Sequence, residues 1–295
     1  MPTMTKLEMQ SAAAIPLILL IGIAIAWAGS QNGIQALGMP LFAVCGLCAL
    51  AINWLAFVGA YAFKTERYYD LTGSMTYMSL VALAVSLRGE SDPRSLVLGG
   101  LIAVWALRLG SFLFIRVNRD GSDRRFDQIK MSLPRFLMAW TLQALWVFLT
   151  AACALAAMTS SDVRPLGLFA ALGCLVWAVG FAIEVVADQQ KRRFRADSSN
   201  RDGFIQSGLW AWSRHPNYFG EIALWIGIAL IAVPVLSGWQ LATMISPVFV
   251  YLLLTRISGV PLLEARAKKK WGEDPNFVAY MRSTPALFPR PPRPI

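Results

Sequence analysis

The sequence predicts an all-α, polytopic transmembrane helical bundle with a polar cavity facing the cytoplasm, and three observations lead there. The chain of 295 residues is 56% hydrophobic and only 15% charged, too apolar for an ordinary water-soluble domain. Its apolar runs near 11–30, 37–63, 71–88, 95–115, 134–158, 166–187, 219–236 and 239–257 are each long enough to cross a hydrocarbon core of about 30 Å. Its basic residues gather on alternate connections. The expectation is about eight spans by the length rule, forming one membrane domain over residues 1–295.

The net charge of +10 could suggest a nucleic-acid partner, but its distribution excludes one. Lys64 and Arg67 follow the second run; Arg116, Arg119, Arg124, Arg125 and Lys130 follow the fourth; Lys191, Arg192, Arg193, Arg195, Arg201 and Arg214 follow the sixth. The C-terminal segment, 264–295, is basic as well. Opposite connections are balanced, as with Arg88, Glu90, Asp92 and Arg94. The positive-inside rule makes the basic side cytoplasmic, with both termini on it, and leaves membrane lipids as the surrounding partner.

The first run, preceded by Lys6 and ending in Ala26-Trp-Ala28, also has the look of a signal peptide, but it is long for one. It is read as an uncleaved extra helix over 1–30; cleavage would leave seven spans. Cys45, Cys48, Cys153 and Cys174 all stand inside apolar runs, where a thiol behaves as a small hydrophobe. The Cys45/Cys48 spacing has no βαβ context of the kind a redox pair uses. With a single histidine in the chain, no metal-ligand set is expected.

Along the chain, polar residues enter the spans at a few places. The turn after the second run carries Glu66, Tyr68, Tyr69 and Asp70, followed by Thr72, Gly73, Ser74 and Tyr77. Asp70 can cap the third helix while the tyrosines mark the interface; equally, an acid and several phenols at one depth can form a substrate site. Arg108 sits inside the fourth span, where a guanidinium is costly unless it snorkels or meets an anion. Arg119 lies about three turns further along the same helix. Asp120 to Asp127 forms a charged loop, and the fifth span, with Trp140, Gln143 and Trp146, reads as scaffold.

The sixth span ends in Glu184, Asp188, Arg192 and Arg195, spaced to share one stripe of a helix. A Ser/Asn/Asp-rich loop, 197–203, leads to Gly208-Leu-Trp-Ala-Trp-Ser-Arg-His-Pro-Asn-Tyr-Phe-Gly-Glu221. Pro216 lacks an amide hydrogen and fixes φ, so the seventh helix should begin there. Asn217, Glu221 and Trp225 then share a face, and Arg214 and His215 stand outside an N-terminus whose free amides suit an anion. A short Ser237-Gly-Trp-Gln240 turn folds the eighth helix back, which lets Glu264 approach Arg214. Residues 268–294, with Trp271, Tyr280 and Phe288, are expected to lie along the membrane surface as a lid or brace.

The motif at 208–221, with Asp188 before it and Ser258-Gly-Val-Pro-Leu-Leu-Glu264 after it, resembles the steroid 5α-reductase superfamily of membrane reductases, in particular its bacterial branch. Leu107-Arg-Leu-Gly110 and Asp123-Arg-Arg-Phe126 extend the resemblance, which covers a reductase-like core over 60–290 and leaves the first helix outside. It implies a protein of the bacterial inner membrane that holds NADPH in a cytoplasmic cavity. Arg108, Asp188, Arg192, Arg195 and Asn217 match cofactor-contacting positions, and Glu221 matches the acid one turn on; Arg214, His215, Tyr218 and Glu264 belong to the same motifs. Where the steroid reductases carry a tyrosine three residues before the arginine, this chain has Trp105. The glutamate used with that tyrosine has its counterpart in Glu66 or Asp70.

The function so implied is NADPH-dependent reduction of a carbon–carbon double bond in a lipophilic, steroid-like or isoprenoid enone. Tyr69 or Tyr68, oriented by Asp70, would stabilise the enolate oxygen and supply a proton. The alternative is an S-adenosylmethionine-dependent methyltransferase of the isoprenylcysteine type, a family that shares the Arg-His-Pro-x-Tyr motif. The arginines upstream of the motif favour a phosphorylated cofactor. A non-catalytic lipid-binding protein is the third reading.

Overall fold

Helix boundaries follow the sequence's own punctuation. In the computed structural model, which describes residues 4–89, 92–120 and 126–292 with 115–120 as backbone only, α1 (Lys6–Gly29) opens on a capping box. Thr5 Oγ1 accepts from the Glu8 amide, and Glu8 Oε2 accepts from the Thr5 amide at 2.9 Å. A hairpin of β1 (Gln35–Ala36) and β2 (Met39–Pro40), with Leu37 and Gly38 at positive φ, turns the chain into α2 (Leu41–Ala62). Then come α3 (Tyr69–Leu87), α4 (Pro93–Asp120), α5 (Leu133–Met158), α6 (Leu168–Ala196) and α7 (Pro216–Ala232). Among the described residues, eight helical segments are long and apolar enough to cross a membrane. Glu90, the loop residues Asp123, Arg124 and Arg125, and the side chains of Arg116 and Arg119 lie outside the described residues.

The chain divides into two compact units, residues 1–170 with 231–246, and residues 171–230 with 247–295. In the first unit α5 is the central helix, with every residue from Val147 to Met158 buried. Its run of alanines lets α1, α2, α3 and α4 pack closely around it, the way small residues bring helices together where water supplies no driving force. Cys153 is wholly buried there. Polar side chains in this core satisfy one another, as they must in hydrocarbon. Gln143 Nε2 donates to Asn53 Oδ1 (3.0 Å) and to the Tyr69 carbonyl (2.9 Å), and Asn53 Nδ2 donates to Thr76 Oγ1 (3.2 Å) and the Ala49 carbonyl (2.9 Å).

At the opposite end of the unit, Asp92 caps α4 by accepting from the amide and hydroxyl of Ser95. The buried Arg94 donates to the carbonyls of Ile231 and Pro165, and Arg88 donates to the Met158 carbonyl at 2.6 Å. The Ile231 and Met158 carbonyls, at the ends of α7 and α5, are of the kind that a helix leaves without an internal partner.

In the second unit, α6 has 29 residues and so extends about 43 Å at 1.5 Å per residue. That exceeds a hydrocarbon core of about 30 Å, so the charged stripe rides on the overhang. Glycines form the seam with α7: a methyl on Gly180 would come within 2.6 Å of the Gly220 carbonyl, and one on Gly227 within 2.6 Å of the Gly173 carbonyl. The eighth span, whose residues 238–246 belong to the first unit, is segmented. A 3₁₀ stretch over Gly238–Met244 precedes α8 (Ile245–Leu252), and a π turn over Leu253–Ile257 ends where the Ser258 amide donates to the Leu253 carbonyl at 2.9 Å. Helix α9 (Val260–Trp271) and helix α10 (Pro275–Ser283) follow.

Candidate functional site

Helix α7 begins at Pro216, which leaves Ser213, Arg214 and His215 as the short approach to its N-terminus. Ser213 Oγ accepts from the His215 amide (3.1 Å) and donates to the Leu287 carbonyl (2.8 Å). The Arg214 amide donates to the Pro285 carbonyl, and the Arg290 amide donates to the Trp212 carbonyl, both at 2.9 Å. Residues 285–290 are therefore strapped along residues 212–214. The expected brace runs over the motif itself.

Arg214 fastens this arrangement. Its Nε and Nη2 donate to Glu264 Oε1 at 3.0 and 2.8 Å, and its Nη1 donates to the carbonyls of Met281 (2.7 Å) and Thr284 (2.8 Å). One guanidinium thus joins α9, α10 and the strap. His215 is buried, its Nε2 lies 3.4 Å from Glu264 Oε1, and its ring stacks on Tyr218 at 5.6 Å between centroids. Burial lowers the His215 pKa against the opposing pull of Glu264, and Lys191 and Arg214 add to the lowering. The imidazole is accordingly neutral at pH 7, with Nε2–H directed to the carboxylate. Its Nδ1 has no hydrogen-bond partner among the described residues.

Beside this cluster lies a cavity of about 330 Å³. Lys191 and Arg195 of α6 and Arg266 and Lys270 of α9 contribute cations to its lining, and Trp210, Phe204, Trp271, Phe277 and Tyr280 contribute rings. Lys191 Nζ stands 4.5 Å from the centre of the Trp210 ring, and Trp210 Nε1 donates to the Ala187 carbonyl at 3.0 Å. The Tyr280 hydroxyl donates to the Trp210 carbonyl at 2.8 Å, and burial raises its pKa. Cations around aromatic faces suit an anion attached to a flat ring.

Of the residues singled out from sequence, Arg195, Arg214, His215 and Glu264 line this cavity. Asp188 Oδ1 accepts from Asn217 Nδ2 at 3.2 Å, which couples α6 to the first turn of α7. Glu221 is half-buried one turn further along α7, and Arg192 is exposed on α6. Gly259 explains part of the Ser258–Glu264 motif, because a methyl there would come within 2.9 Å of the Tyr218 ring. Arg108 belongs to the first unit, half-buried on α4, with its guanidinium 5.8 Å from the Phe112 ring centre.

The α2–α3 turn, also in the first unit, spreads its four candidates over different surroundings. Glu66 is buried and ion-paired with Lys130 at 2.8 Å, an interaction that raises the Lys130 pKa. Tyr69 donates its hydroxyl to the Ala139 carbonyl at 2.9 Å, with its ring against Phe126 and Trp140. Tyr68 is exposed, and Asp70 is in the first turn of α3. Sequence reasoning counted Lys191 only among the cytoplasmic charges and Tyr280 only in the surface brace, and it gave Trp210, Arg266 and Lys270 no role at the site. The i,i+4 spacing of Arg266 and Lys270 was the available signal for α9.

A family described as a protein of unknown function, DUF1295, matches residues 56–284. The chain belongs to this family. The DUF1295 match starts within α2 and ends just past α10, so it takes in both the α2–α3 turn and the cation-lined cavity and leaves α1 outside. An uncharacterised protein of Schizosaccharomyces pombe, C594.04c, is 25% identical over 228 residues, 67% of this chain and 64% of the relative. The 3-oxo-5-alpha-steroid 4-dehydrogenase 1 of Rattus norvegicus is 28% identical over 118 residues, 40% of each chain. The chain thus spans less than two thirds of either relative's length. No solved structure matches it.

Proposed function

We propose that this DUF1295 protein is a membrane-embedded, NADPH-dependent reductase of the carbon–carbon double bond of a lipophilic enone. The observation that carries the reading is the cavity itself, where Lys191 and Arg195 from one helix and Arg266 and Lys270 from another surround aromatic walls. Arginine and lysine are the residues that hold phosphate, the first by paired donors and the second as a point charge. Rings on the same walls suit a purine. At about 330 Å³ the cavity is at the small end of ligand sites, which run to roughly 1,000 Å³, and suits one nucleotide half rather than a whole dinucleotide. The partial similarity to a steroid dehydrogenase of rat supports an oxidoreductase.

When bound, NADPH supplies a hydride to the β-carbon of the enone. The chain's own residues bind and orient. Arg195 and its neighbouring cations hold phosphate, and Asp188 with Asn217 fixes the start of α7. Arg108, Arg192, Tyr218 and Glu221 are assigned to cofactor contact on the family motif. Proton delivery falls to Tyr68 rather than Tyr69, because the Tyr69 hydroxyl is already given to the Ala139 carbonyl. Asp70 is the acid assigned to orient Tyr68, and Glu66 stays in its ion pair with Lys130.

Melting temperatures of the purified protein with NADPH, NADH or S-adenosylmethionine test the reading. A ligand at 100 times its dissociation constant adds about 2.7 kcal/mol to the folded state, enough to rank the three. Stabilisation by NADPH that Arg195→Ala weakens is expected. Stabilisation by S-adenosylmethionine alone overturns the proposal.

A further inference from the structure

The cation-lined cavity contains one amine that the nucleotide reading uses only as a charge. Lys191 stands on the overhang of α6, past the membrane-spanning part, half-buried in the cavity lining. Its Nζ is held 4.5 Å from the centre of the Trp210 ring and takes no hydrogen bond or ion pair among the described residues. The cavity's other lysine, Lys270, is exposed, and its Nζ donates to the Arg201 carbonyl at 3.3 Å and stands 3.8 Å from Asp202 Oδ1. Withdrawing an ammonium from water with no carboxylate against it favours the neutral amine. Burial brings the Lys191 pKa down to about 8, Arg195 adds to the lowering, and Asp188 opposes it. The other elements of the lining contribute Arg214 and His215 before α7, Glu264, Arg266 and Lys270 on α9, and Tyr280 on α10. Only Glu264 among these is an anion, and Arg214 holds it. Roughly a tenth of Lys191 is then free amine at pH 7, against fewer than about one in a thousand for an ordinary lysine.

We propose that this cavity takes a phosphorylated aromatic aldehyde and that Lys191 condenses with it. Three features meet in one hollow of about 330 Å³: the amine, the guanidiniums of Arg195 and Arg266, and the rings of Trp210, Phe204 and Tyr280. Guanidiniums suit the phosphate and aromatic walls suit the ring. A cavity of roughly 150 Å³ takes a benzene ring, so this one accepts a substituted ring with its phosphate arm. The nitrogen lone pair adds to the aldehyde carbon, both amine hydrogens leave with the carbonyl oxygen as water, and a C=N bond remains. No oxidant or reductant is needed, and water reverses the step. While the imine stands, the cavity is closed to a nucleotide, so a small aldehyde governs cofactor access. That consequence rests on the nucleotide reading; the condensation does not.

The test uses the full chain in lipid nanodiscs, with pyridoxal phosphate as the probe and pyridoxal as the same aldehyde without the phosphate. Borohydride fixes the imine, and peptide mass spectrometry locates it. Lys191 is expected to be labelled about tenfold or more faster than the exposed Lys268 and Lys269, by its larger share of free amine. Pyridoxal should need about tenfold more concentration for the same labelling, the worth of a hydrogen bond to a charged group, and Arg266→Ala should bring pyridoxal phosphate toward that level. Lys191→Arg keeps a cation over Trp210 and should abolish the fast labelling without lowering the melting temperature. Labelling of Lys191 at the pace of Lys268 and Lys269, or an equal response to the two aldehydes, overturns the proposal and leaves Lys191 a brace for Trp210. NADPH added before the probe separates the two readings, and protection of Lys191 is expected. Fast labelling that saturating NADPH leaves untouched removes the nucleotide from this cavity and keeps the amine site; an NADPH melting shift without selective labelling does the reverse.

Discussion

Arg214→Ala removes the fastening between α9, α10 and the C-terminal strap. The side chain is 14% exposed and that of its partner Glu264 is 20% exposed, so the pair is screened only in part. Breaking a wholly buried pair costs roughly 3–5 kcal/mol, and partial exposure places this one near the lower end, at about 3 kcal/mol. The carbonyls of Met281 and Thr284 lose their donor in the same step. For a chain of this length the melting temperature should fall by about 6 °C, and protease should cut within residues 284–290 sooner than in the wild type. Arg214→Lys keeps the charge but lacks the fork, so it should recover about half of the loss. An Arg214→Ala protein with wild-type melting and wild-type protection of the strap refutes the reasoning.

Other perturbations have outcomes fixed by the same packing and charge. Gly220→Ala places a methyl 2.5 Å from the Gly180 carbonyl and should cost about 1–3 kcal/mol of stability in thermal melts; Gly100→Ala, with nothing within 4 Å, should cost none. His215 is the one histidine in the chain, and burial lowers its pKa. As pH falls below about 6.5, the ordinary imidazole value, the unfolded chain takes up a proton that the folded chain resists. Stability therefore falls with falling pH in that window until the folded ring also protonates, and His215→Gln should flatten this part of the melting profile. Lys130→Met removes the 2.8 Å ion pair from the buried Glu66 carboxylate and should lower stability by about 1–3 kcal/mol, the Lys130 side chain being 19% exposed. Adding Glu66→Leu should restore most of it, a non-additivity that a double-mutant cycle in chemical denaturation reads directly.

The spans were legible because length and hydropathy report directly on the membrane. Pro216 marked the start of α7, since the ring that forbids a mid-helix position suits the first one. The overhang of α6 past residue 187 was legible too, since Glu184, Asp188, Arg192 and Arg195 recur at helical spacing and the Ser/Asn/Asp-rich loop begins only after Ala196. The break in the eighth span was hidden; no residue type in Leu253–Ile257 marks a π turn in a sequence. At the site, helical spacing placed Asp188 and Asn217 each on a polar face, and the structure supplied their pairing. The commitment of Arg214 to Met281 and Thr284 did not, because those partners are backbone carbonyls, which every residue has. Tyr69 looked like an acid–base candidate for the same reason, its carbonyl partner at Ala139 being invisible in the sequence.

Reduction by a deuterated cofactor is the most direct measurement. Protein in nanodiscs is given NADPH carrying deuterium at the transferable C4 position together with a lipophilic enone, and the product is analysed by mass spectrometry and NMR. The saturated ketone should form with one deuterium on the β-carbon and one solvent hydrogen on the α-carbon, and Tyr68→Phe should slow it. Methyl transfer from S-adenosylmethionine, with no deuterium reaching any enone tested, would contradict a hydride-transferring role for this DUF1295 protein.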